Sequence, residues 1–371
     1  MLVRRIFLEG FRNYETAEAA FGDNVNVITG QNAQGKTNLL EAIYYLTGGK
    51  SFRSRFDREV IGFDRPEALV RGEIFSGQRE QTIEIRMERG RKKQITANGV
   101  KLKTAAELAG KLTAVIFCPD DLYLIRSGAA QRRRLMDMCL CQLRPRYAAA
   151  LADYNRLYED KARILKDWRD KPSLLEALDE FSLQMCYKSA EIVYYRANFT
   201  ELLNGYAGEI HREFSGGREE LCVRYQTMKT VTDPRRKPQE LLEQIVEHQR
   251  THRTAEIESG SCLSGIHKDD LLIDINGNPA RAYASQGQTR TAALSLKLAE
   301  REIHKADGGE YPILLLDDVL SELDSGRQNF VLNHITQGQV FITCCEDDQI
   351  VSRTGGRVFT VTDGQIRQEG S

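Results

Sequence analysis

The sequence lacks the features that mark several classes of protein. Its 52 lysines and arginines are balanced by 53 aspartates and glutamates, so any nucleic-acid binding has to come from local basic patches rather than from overall charge. No apolar run approaches the ~20 residues that span a bilayer, and Arg4 and Arg5 interrupt the apolar N-terminal stretch, unlike a signal peptide. The 8 cysteines include no C-x-x-C pair of the kind that zinc sites use. These absences predict a cytoplasmic protein with reduced thiols and no membrane partner.

The stretch from residue 24 to residue 46 carries the strongest positive signal. A β-branched run with Val25, Val27 and Ile28 is followed by a loop of the pattern G-x-x-x-x-G-K-[ST] and then by apolar residues at helical spacing. In this context the successive backbone N–H groups of the loop can wrap a phosphate chain, and the helix N-terminus adds partial positive charge. We therefore predict a nucleotide site in which Lys36 reaches the β- and γ-phosphates and the Thr37 hydroxyl binds Mg²⁺. The residues predicted to contact the nucleotide are Gly30, Gln31, Asn32, Ala33, Gln34, Gly35, Lys36, Thr37 and Asn38.

Length and local pattern divide the chain. With 371 residues it exceeds the ~100–200 residues of one hydrophobic core, so two lobes are expected. Residues 67–117 read as strands with an Asn98-Gly99 hairpin signal, which predicts an antiparallel sheet beside the parallel one. Residues 122–255 are mainly helical, and heptad-like apolar spacing over about three repeats suggests a short antiparallel arm. We predict one nucleotide-binding lobe from residues 1–121 and 256–371, with a helical lobe inserted at residues 122–255.

Two further segments complete the predicted chemistry. Residues 311–316 form an apolar run that ends in Asp317 and Asp318, as expected for a buried parallel strand whose carboxyl end delivers acids to a nucleotide. Asp317 would hold Mg²⁺ directly or through water, and Asp318 would orient or deprotonate the attacking water. Residues 285–288 precede a helical pattern and would lie at a helix N-terminus suited to anions. By itself, such a loop is also a common helix cap.

Arginine-rich segments leave alternatives open. Arg12 and Asn13 follow a predicted strand and face either the nucleotide or solvent. The arginines at positions 53, 55 and 58 either contact phosphate or belong to a solvated loop. For the consecutive arginines 132–134 we favour a track along a phosphate backbone over a paired solvated face, because three consecutive side chains fan out around a helix.

In this arrangement the motifs resemble the RecF family of recombination-repair ATPases, which is related to the heads of SMC proteins and to ABC ATPases. The resemblance covers nearly the full length and rests on Phe11–Tyr14, Gly30–Thr37, Lys50–Arg53, Gly265–Leu271, the signature Ser285–Gln288, the Walker B pair Asp317–Asp318, and Ser321–Asp324. The chain departs from the wider ABC pattern in its Ser-Gln-Gly-Gln signature, in Asp318 where transporters carry Glu, and in the absence of His at the strand end, Thr343.

The resemblance implies an α/β fold, with an ABC/SMC-head-like P-loop ATPase lobe of mixed parallel and antiparallel sheets plus an inserted mainly helical lobe. It implies that ATP and Mg²⁺ are bound, with ATP between the P-loop of one protomer and Ser285, Gly287 and Gln288 of a second. Slow, DNA-stimulated hydrolysis would then depend on Lys36, Asp318 and Ser285. The implied output is an ATP-dependent homodimer that clamps DNA at single-stranded gaps and duplex junctions and, with RecR and RecO, promotes loading of RecA.

Two other classes share a P-loop. A transporter-type ATPase subunit is disfavoured by the inserted helical region and by the wide separation between P-loop and Walker B. A P-loop kinase acting on a small molecule has no use for a signature loop that acts on a second protomer.

Overall fold

The computed structural model of the protein describes residues 1–345 and 354–369. The chain forms two compact units. The first unit consists of Met1–Tyr123 and Ala293–Ser371, and the second consists of Leu124–Ala292.

The elements follow one another in this order. The N-terminal part contains β1 (Leu2–Phe11), β2 (Tyr14–Ala20), β3 (Val25–Thr29), α1 (Lys36–Gly48), β4 (Glu67–Ser76), β5 (Arg79–Glu88), β6 (Gln94–Ala97), β7 (Val100–Lys101) and β8 (Ala114–Phe117). The middle part contains α2 (Ala129–Leu143), α3 (Pro145–Asp167), α4 (Leu175–Phe214), β9 (Leu221–Gln226), α5 (Pro238–Ser259), β10 (Asp270–Ile275), β11 (Asn278–Pro279) and α6 (Ala280–Tyr283). The last part contains α7 (Gln286–Gly308), β12 (Ile313–Leu316), α8 (Ser325–His334), β13 (Val340–Thr343), β14 (Arg357–Thr362) and β15 (Gln365–Gln368).

The described residues of the first unit form two sheets. One is antiparallel with the order β2-β1-β4-β5-β6-β7, and the other has the order β15-β14-β3-β13-β12-β8. In the second of these, β14, β3, β13, β12 and β8 run parallel and β15 pairs antiparallel. The predicted combination of parallel and antiparallel sheets is confirmed. The carboxyl ends of β3, β13 and β12 consequently lie side by side, where open α/β sheets bind ligands.

Local sequence explains these elements. All four residues of β12 and all four of β13 are buried, which is why both read as continuous apolar runs. The hairpin between β6 and β7 turns on Asn98, whose φ of 51° is the positive value that a type I′ turn requires. The buried strands β12 and β13 belong to the core that positions the nucleotide loop.

The second unit is built mainly from helices. Its longest helix, α4, has 40 residues and begins after a 3-10 turn at Pro172–Leu174. The predicted apolar spacing continues along it, with Leu178, Met185 and Ile192 buried. Near the start of α4, Leu178 packs with Ile164 and Leu165 of α3.

The second unit also contains a three-stranded sheet. Its order is β11-β10-β9, and β9 pairs antiparallel with β10 from Leu221↔Ile275 to Gln226↔Asp270. β9 lies inside the segment predicted to be helical, and its partner β10 lies beyond residue 255. Residues 256–292 therefore group with that segment, and the second domain boundary falls between residues 292 and 293 rather than near residue 255. The Ser285–Gln288 motif therefore belongs to the second unit.

Within residues 1–345 and 354–369, no helix combines the length and the apolar character needed to cross a membrane.

Candidate nucleotide site

The loop between β3 and α1 has a backbone shape that two glycines make possible. Gly30 and Gly35 have φ values of 139° and 120°, which lie in the region that L side chains rarely adopt. A Cβ on Gly30 would come within 2.4 Å of the Val361 carbonyl oxygen, and one on Gly35 within 2.8 Å of the Asn13 amide nitrogen. The loop therefore forms an open cradle of backbone at a helix N-terminus, which fits a phosphate chain.

The ammonium group of Lys36 is folded onto this loop. Its Nζ donates to the carbonyl oxygens of Gly30 at 2.6 Å and Gln31 at 3.2 Å. Cys345, the second residue after β13, also lies beside the loop, with its Sγ 2.9 Å from Asn32 Oδ1 and 3.4 Å from Lys36 Nζ. No local pattern indicates that this cysteine lies beside the P-loop, because it reads as one of several scattered thiols.

The two predicted metal ligands already contact each other. Thr37 Oγ1 donates to Asp317 Oδ1 at 2.8 Å, so the first turn of α1 and the end of β12 meet at the carboxyl edge of the sheet. A hydroxyl and a carboxylate oxygen are the ligands that Mg²⁺ prefers. The donor set thus fits the predicted metal.

Thr343 links the two Walker B carboxylates. Its Oγ1 lies 3.1 Å from Asp317 Oδ1 and 3.3 Å from Asp318 Oδ1, and it accepts the Asp318 backbone N–H at 2.8 Å. Asp318 has a φ of 51°, a left-handed conformation that is uncommon for a residue other than glycine. The sequence analysis identifies Thr343 only as the residue at a strand end where the wider ABC pattern has a histidine. The order β3-β13-β12 places it between the P-loop and the acids.

The electrostatics of Asp317 reflect this position. Burial raises the pKa of Asp317, whereas hydrogen bonds from Thr37 and Thr343 act in the opposite direction. Asp318 raises the same pKa and Arg53 lowers it. The net effect is a raised pKa, which the hydrogen bonds and Arg53 limit but do not reverse. A cation bound beside Asp317 would favour the charged carboxylate, which is the form that binds a metal.

Arg12 and Asn13 act on the loop from the β1–β2 turn. Arg12 Nε and Nη2 donate to the two carboxylate oxygens of Glu41 at 2.8 and 2.7 Å, and Glu41 is fully buried on α1. Asn13 Nδ2 donates to the Gln34 carbonyl at 2.9 Å, and its Oδ1 accepts from Asn38 Nδ2 at 2.8 Å. The structure therefore uses both side chains to brace α1 and the P-loop, and their predicted contact with nucleotide stays a prediction.

Of the arginines at positions 53, 55 and 58, Arg53 lines the P-loop cavity. It lines this cavity together with Asn32, Ala33, Gly35, Lys36, Thr37, Asn38 and Asp318. Its Nη1 donates to Asn38 Oδ1 at 3.1 Å, and the side chain is exposed. In contrast, Arg55 and Arg58 stack on Phe56, with guanidinium carbons 5.2 and 4.9 Å from the ring centre. The position of these three arginines shortly after the P-loop in the sequence marks them as candidates for phosphate contact. It does not show which of the three lines the cavity.

The signature loop, residues 285–288, begins α7 in the second unit. Ser285 N–H donates to Gln288 Oε1 at 2.8 Å, and Gln288 N–H donates back to Ser285 Oγ at 3.2 Å. This reciprocal pair is a capping box, and it places Ser285 and Gln286 on the exposed surface. The predicted position at a helix N-terminus is thus observed.

The arginine cluster on α2 is partly structural. Arg132 is buried and donates to both carboxylate oxygens of Asp270 at 2.7 and 2.8 Å. Arg133 donates to the Asp269 carbonyl at 2.7 Å, while Arg134 is exposed. The interpretation of all three as a phosphate track is therefore wrong for Arg132, because the fold supplies an acidic partner that is distant in sequence.

Comparisons with known proteins agree with this geometry. The family model described as "RecF/RecN/SMC N terminal domain" matches residues 2–366. The DNA replication and repair protein RecF of Lachnospira eligens is 39% identical, with 100% of each chain covered. A solved structure of the recombination mediator protein RecF in the RecFOR pathway, described as RecF-ATP, gives a TM-score of 0.89 at 34% identity, covering 99% of this chain and 97% of that one. An Smc head domain from Pyrococcus furiosus gives a TM-score of 0.53 at 16% identity over 99% and 95% of the chains, a likeness of fold alone.

The fold and the site define a P-loop protein with the SMC-head-like ATPase fold. The sequence identity to RecF proteins over the full length of the chain narrows this class to one family. The chain belongs to the RecF family.

Proposed function

We propose that this protein is an ATP-dependent DNA-binding protein of recombinational repair and replication. ATP would join two copies into a dimer that clamps DNA at single-stranded gaps or duplex junctions. The dimer would act in the cytoplasm with RecR and RecO and promote the loading of RecA. Hydrolysis would be slow and stimulated by DNA, and it would release the clamp.

The observation that carries the proposal is the contact between Thr37 and Asp317. It brings the P-loop and the Walker B strand together at 2.8 Å, so that one Mg²⁺ would be held by both. The metal would neutralise phosphate charge as it develops in phosphoryl transfer. Lys36 would leave its loop carbonyls to pair with the β- and γ-phosphates, while Asp318 would orient the attacking water or accept its proton.

The second protomer would supply the signature loop. Ser285 and the Gly287 amide are of the kind that bind a γ-phosphate, and Ser285 is exposed at the start of α7. Gln288 would hold the loop in shape through its capping contact with Ser285. Nucleotide would thereby act as the link between two copies, and loss of the γ-phosphate would remove that link.

The test is molecular mass by light scattering with ADP, with ATP, and with ATP plus a gapped duplex. We expect a monomer with ADP, a dimer with ATP and a more stable dimer with DNA. Lys36→Met serves as the control, because it removes the phosphate-binding ammonium and should stay monomeric. A monomer under every condition would contradict the sandwich, and equal DNA binding with and without ATP would contradict the clamp.

A further inference from the structure

The signature loop has an anchor outside its own helix. The Gln288 side chain uses its Oε1 for the Ser285 N–H, and its Nε2 donates to Glu219 Oε1 at 2.9 Å. Glu219 lies in the loop between α4 and β9, about seventy residues earlier in the chain. The amide oxygen of Gln288 thus accepts a hydrogen bond from the signature loop, and the amide nitrogen donates one to the Glu219 carboxylate.

That carboxylate is itself fixed. Glu219 Oε2 pairs with His211 Nε2 at 3.0 Å, and the His211 side chain, on the last turn of α4, is fully buried. The backbone N–H of Glu219 donates to Ser215 Oγ at 3.2 Å. Burial lowers the pKa of His211, and Glu219 raises it. Glu219 is therefore held at both its side chain and its backbone before it meets Gln288.

The other end of the signature loop is also held. Arg126 Nη2 donates to the carbonyl oxygen of Ala284, the residue before Ser285, at 3.1 Å. Between these two attachments, Ser285 and Gln286 are exposed and Gly287 is half-buried. The loop thus presents its hydroxyl and amides from a fixed frame. Donors fixed before contact bind an anion more tightly than mobile ones, because less ordering is needed on binding.

We propose that Glu219 is a positioning residue which, paired with His211, holds Gln288 and keeps the signature loop ready for the nucleotide carried by a second copy of this chain. The inference rests on the proposed function, in which that loop closes on ATP from another protomer. It assigns to the α4–β9 loop a role in nucleotide-dependent dimerisation, although Glu219 itself touches no nucleotide.

The experiment compares Glu219→Ala with Glu219→Gln in the full chain. Alanine removes the acceptor for Gln288, whereas glutamine keeps an oxygen there. The matched control is Glu220→Ala, which removes the same charge from the next residue, an exposed side chain that forms no hydrogen bond or ion pair with the described residues. The readouts are the dimer dissociation constant with ATP, the affinity of the monomer for a fluorescent ATP analogue, and the melting temperature.

We expect Glu219→Ala to weaken the ATP-dependent dimer by about tenfold or more, the effect of losing a hydrogen bond to a charged group. Nucleotide affinity of the monomer should stay unchanged, because the P-loop lies in the first unit. Glu219→Gln should recover most of the dimer, and Glu220→Ala should match the parent protein. Adding Glu219→Ala to Gln288→Ala should weaken the dimer little further, because the Gln288 side chain that Glu219 positions is then already absent.

The outcomes separate the two proposals. If the parent protein stays monomeric with ATP, both the proposed function and this inference fail. If the parent dimerises and Glu219→Ala dimerises equally well, only the inference is overturned. It is also overturned if Glu219→Ala lowers monomer nucleotide affinity and melting temperature as strongly as dimerisation, since the role would then be general stability.

Discussion

Replacing Thr343 with valine tests the arrangement of the Walker B acids. Valine has nearly the same shape, so the change removes a hydroxyl from a position that is 2% exposed. The Asp318 backbone N–H, bonded to that hydroxyl at 2.8 Å, would lose its partner at a cost of about 1–3 kcal/mol. The left-handed conformation of Asp318 costs about 1–2 kcal/mol by itself, so this residue would move toward a relaxed backbone.

The Thr343→Val change should also affect chemistry. The hydrogen bond from Thr343 lowers the pKa of Asp317, so its removal should raise that pKa and weaken metal binding. We expect the free energy of unfolding in urea to fall by about 1–3 kcal/mol and ATP hydrolysis to fall more than ATP affinity. Thr343→Ser keeps the hydroxyl and should cost about 1 kcal/mol for the lost methyl group. Unchanged stability together with full hydrolysis in Thr343→Val would refute this reasoning.

Three other changes test further parts of the protein. Arg12→Ala should lower the free energy of unfolding by about 3 kcal/mol, because it removes the cation paired with the buried Glu41 carboxylate and leaves Ser51 as its donor. Urea titration measures this loss, and the double variant Arg12→Ala/Glu41→Leu should recover part of it. Arg53→Ala should weaken binding of a fluorescent ATP analogue about tenfold and leave the melting temperature unchanged; undiminished affinity would exclude a phosphate contact. His267, whose pKa burial lowers to about 4 from 6.5, stays neutral when folded, so its contribution to stability is full above pH 6.5 and is lost as pH falls toward 4. The decline measured by urea unfolding should be shallower in His267→Gln, and equal slopes would contradict a half-buried histidine that is neutral in the folded state.

Sequence predicted the parts of the site that depend on adjacent residues. The glycine spacing of the P-loop, the apolar strand before Asp317 and the cap at Ser285 are all local patterns whose physical causes act within one or two turns of chain. Each of them occupies its predicted kind of element in the structure. The Asn98-Gly99 hairpin is another example, because positive φ is a property of the turn itself.

The remaining features depend on strand order and on distant pairing. Thr343 joins the site because β13 lies between β3 and β12, and no local pattern specifies that order. Strand β9 was missed because its pairing partner, β10, follows more than forty residues later, after α5. Arg132 was assigned to a phosphate track because Asp270, the carboxylate that binds it, is distant in the chain. The contact of Arg12 with Glu41 was not predicted for the same reason.

The contacts of Lys36 change how nucleotide affinity should be understood at this loop. Its ammonium is held by the carbonyls of Gly30 and Gln31, and the hydroxyl of Thr37 is held by Asp317. Binding of a nucleotide with its metal is therefore an exchange of partners, and the measured affinity is the difference between two well-satisfied sets of contacts. Substitution of Lys36 removes favourable contacts from both sides of that exchange. Substitution of Lys36 should consequently lower nucleotide affinity by less than the loss of its phosphate contacts alone would. The same substitution also removes the bonds from Lys36 to the Gly30 and Gln31 carbonyls in the nucleotide-free loop.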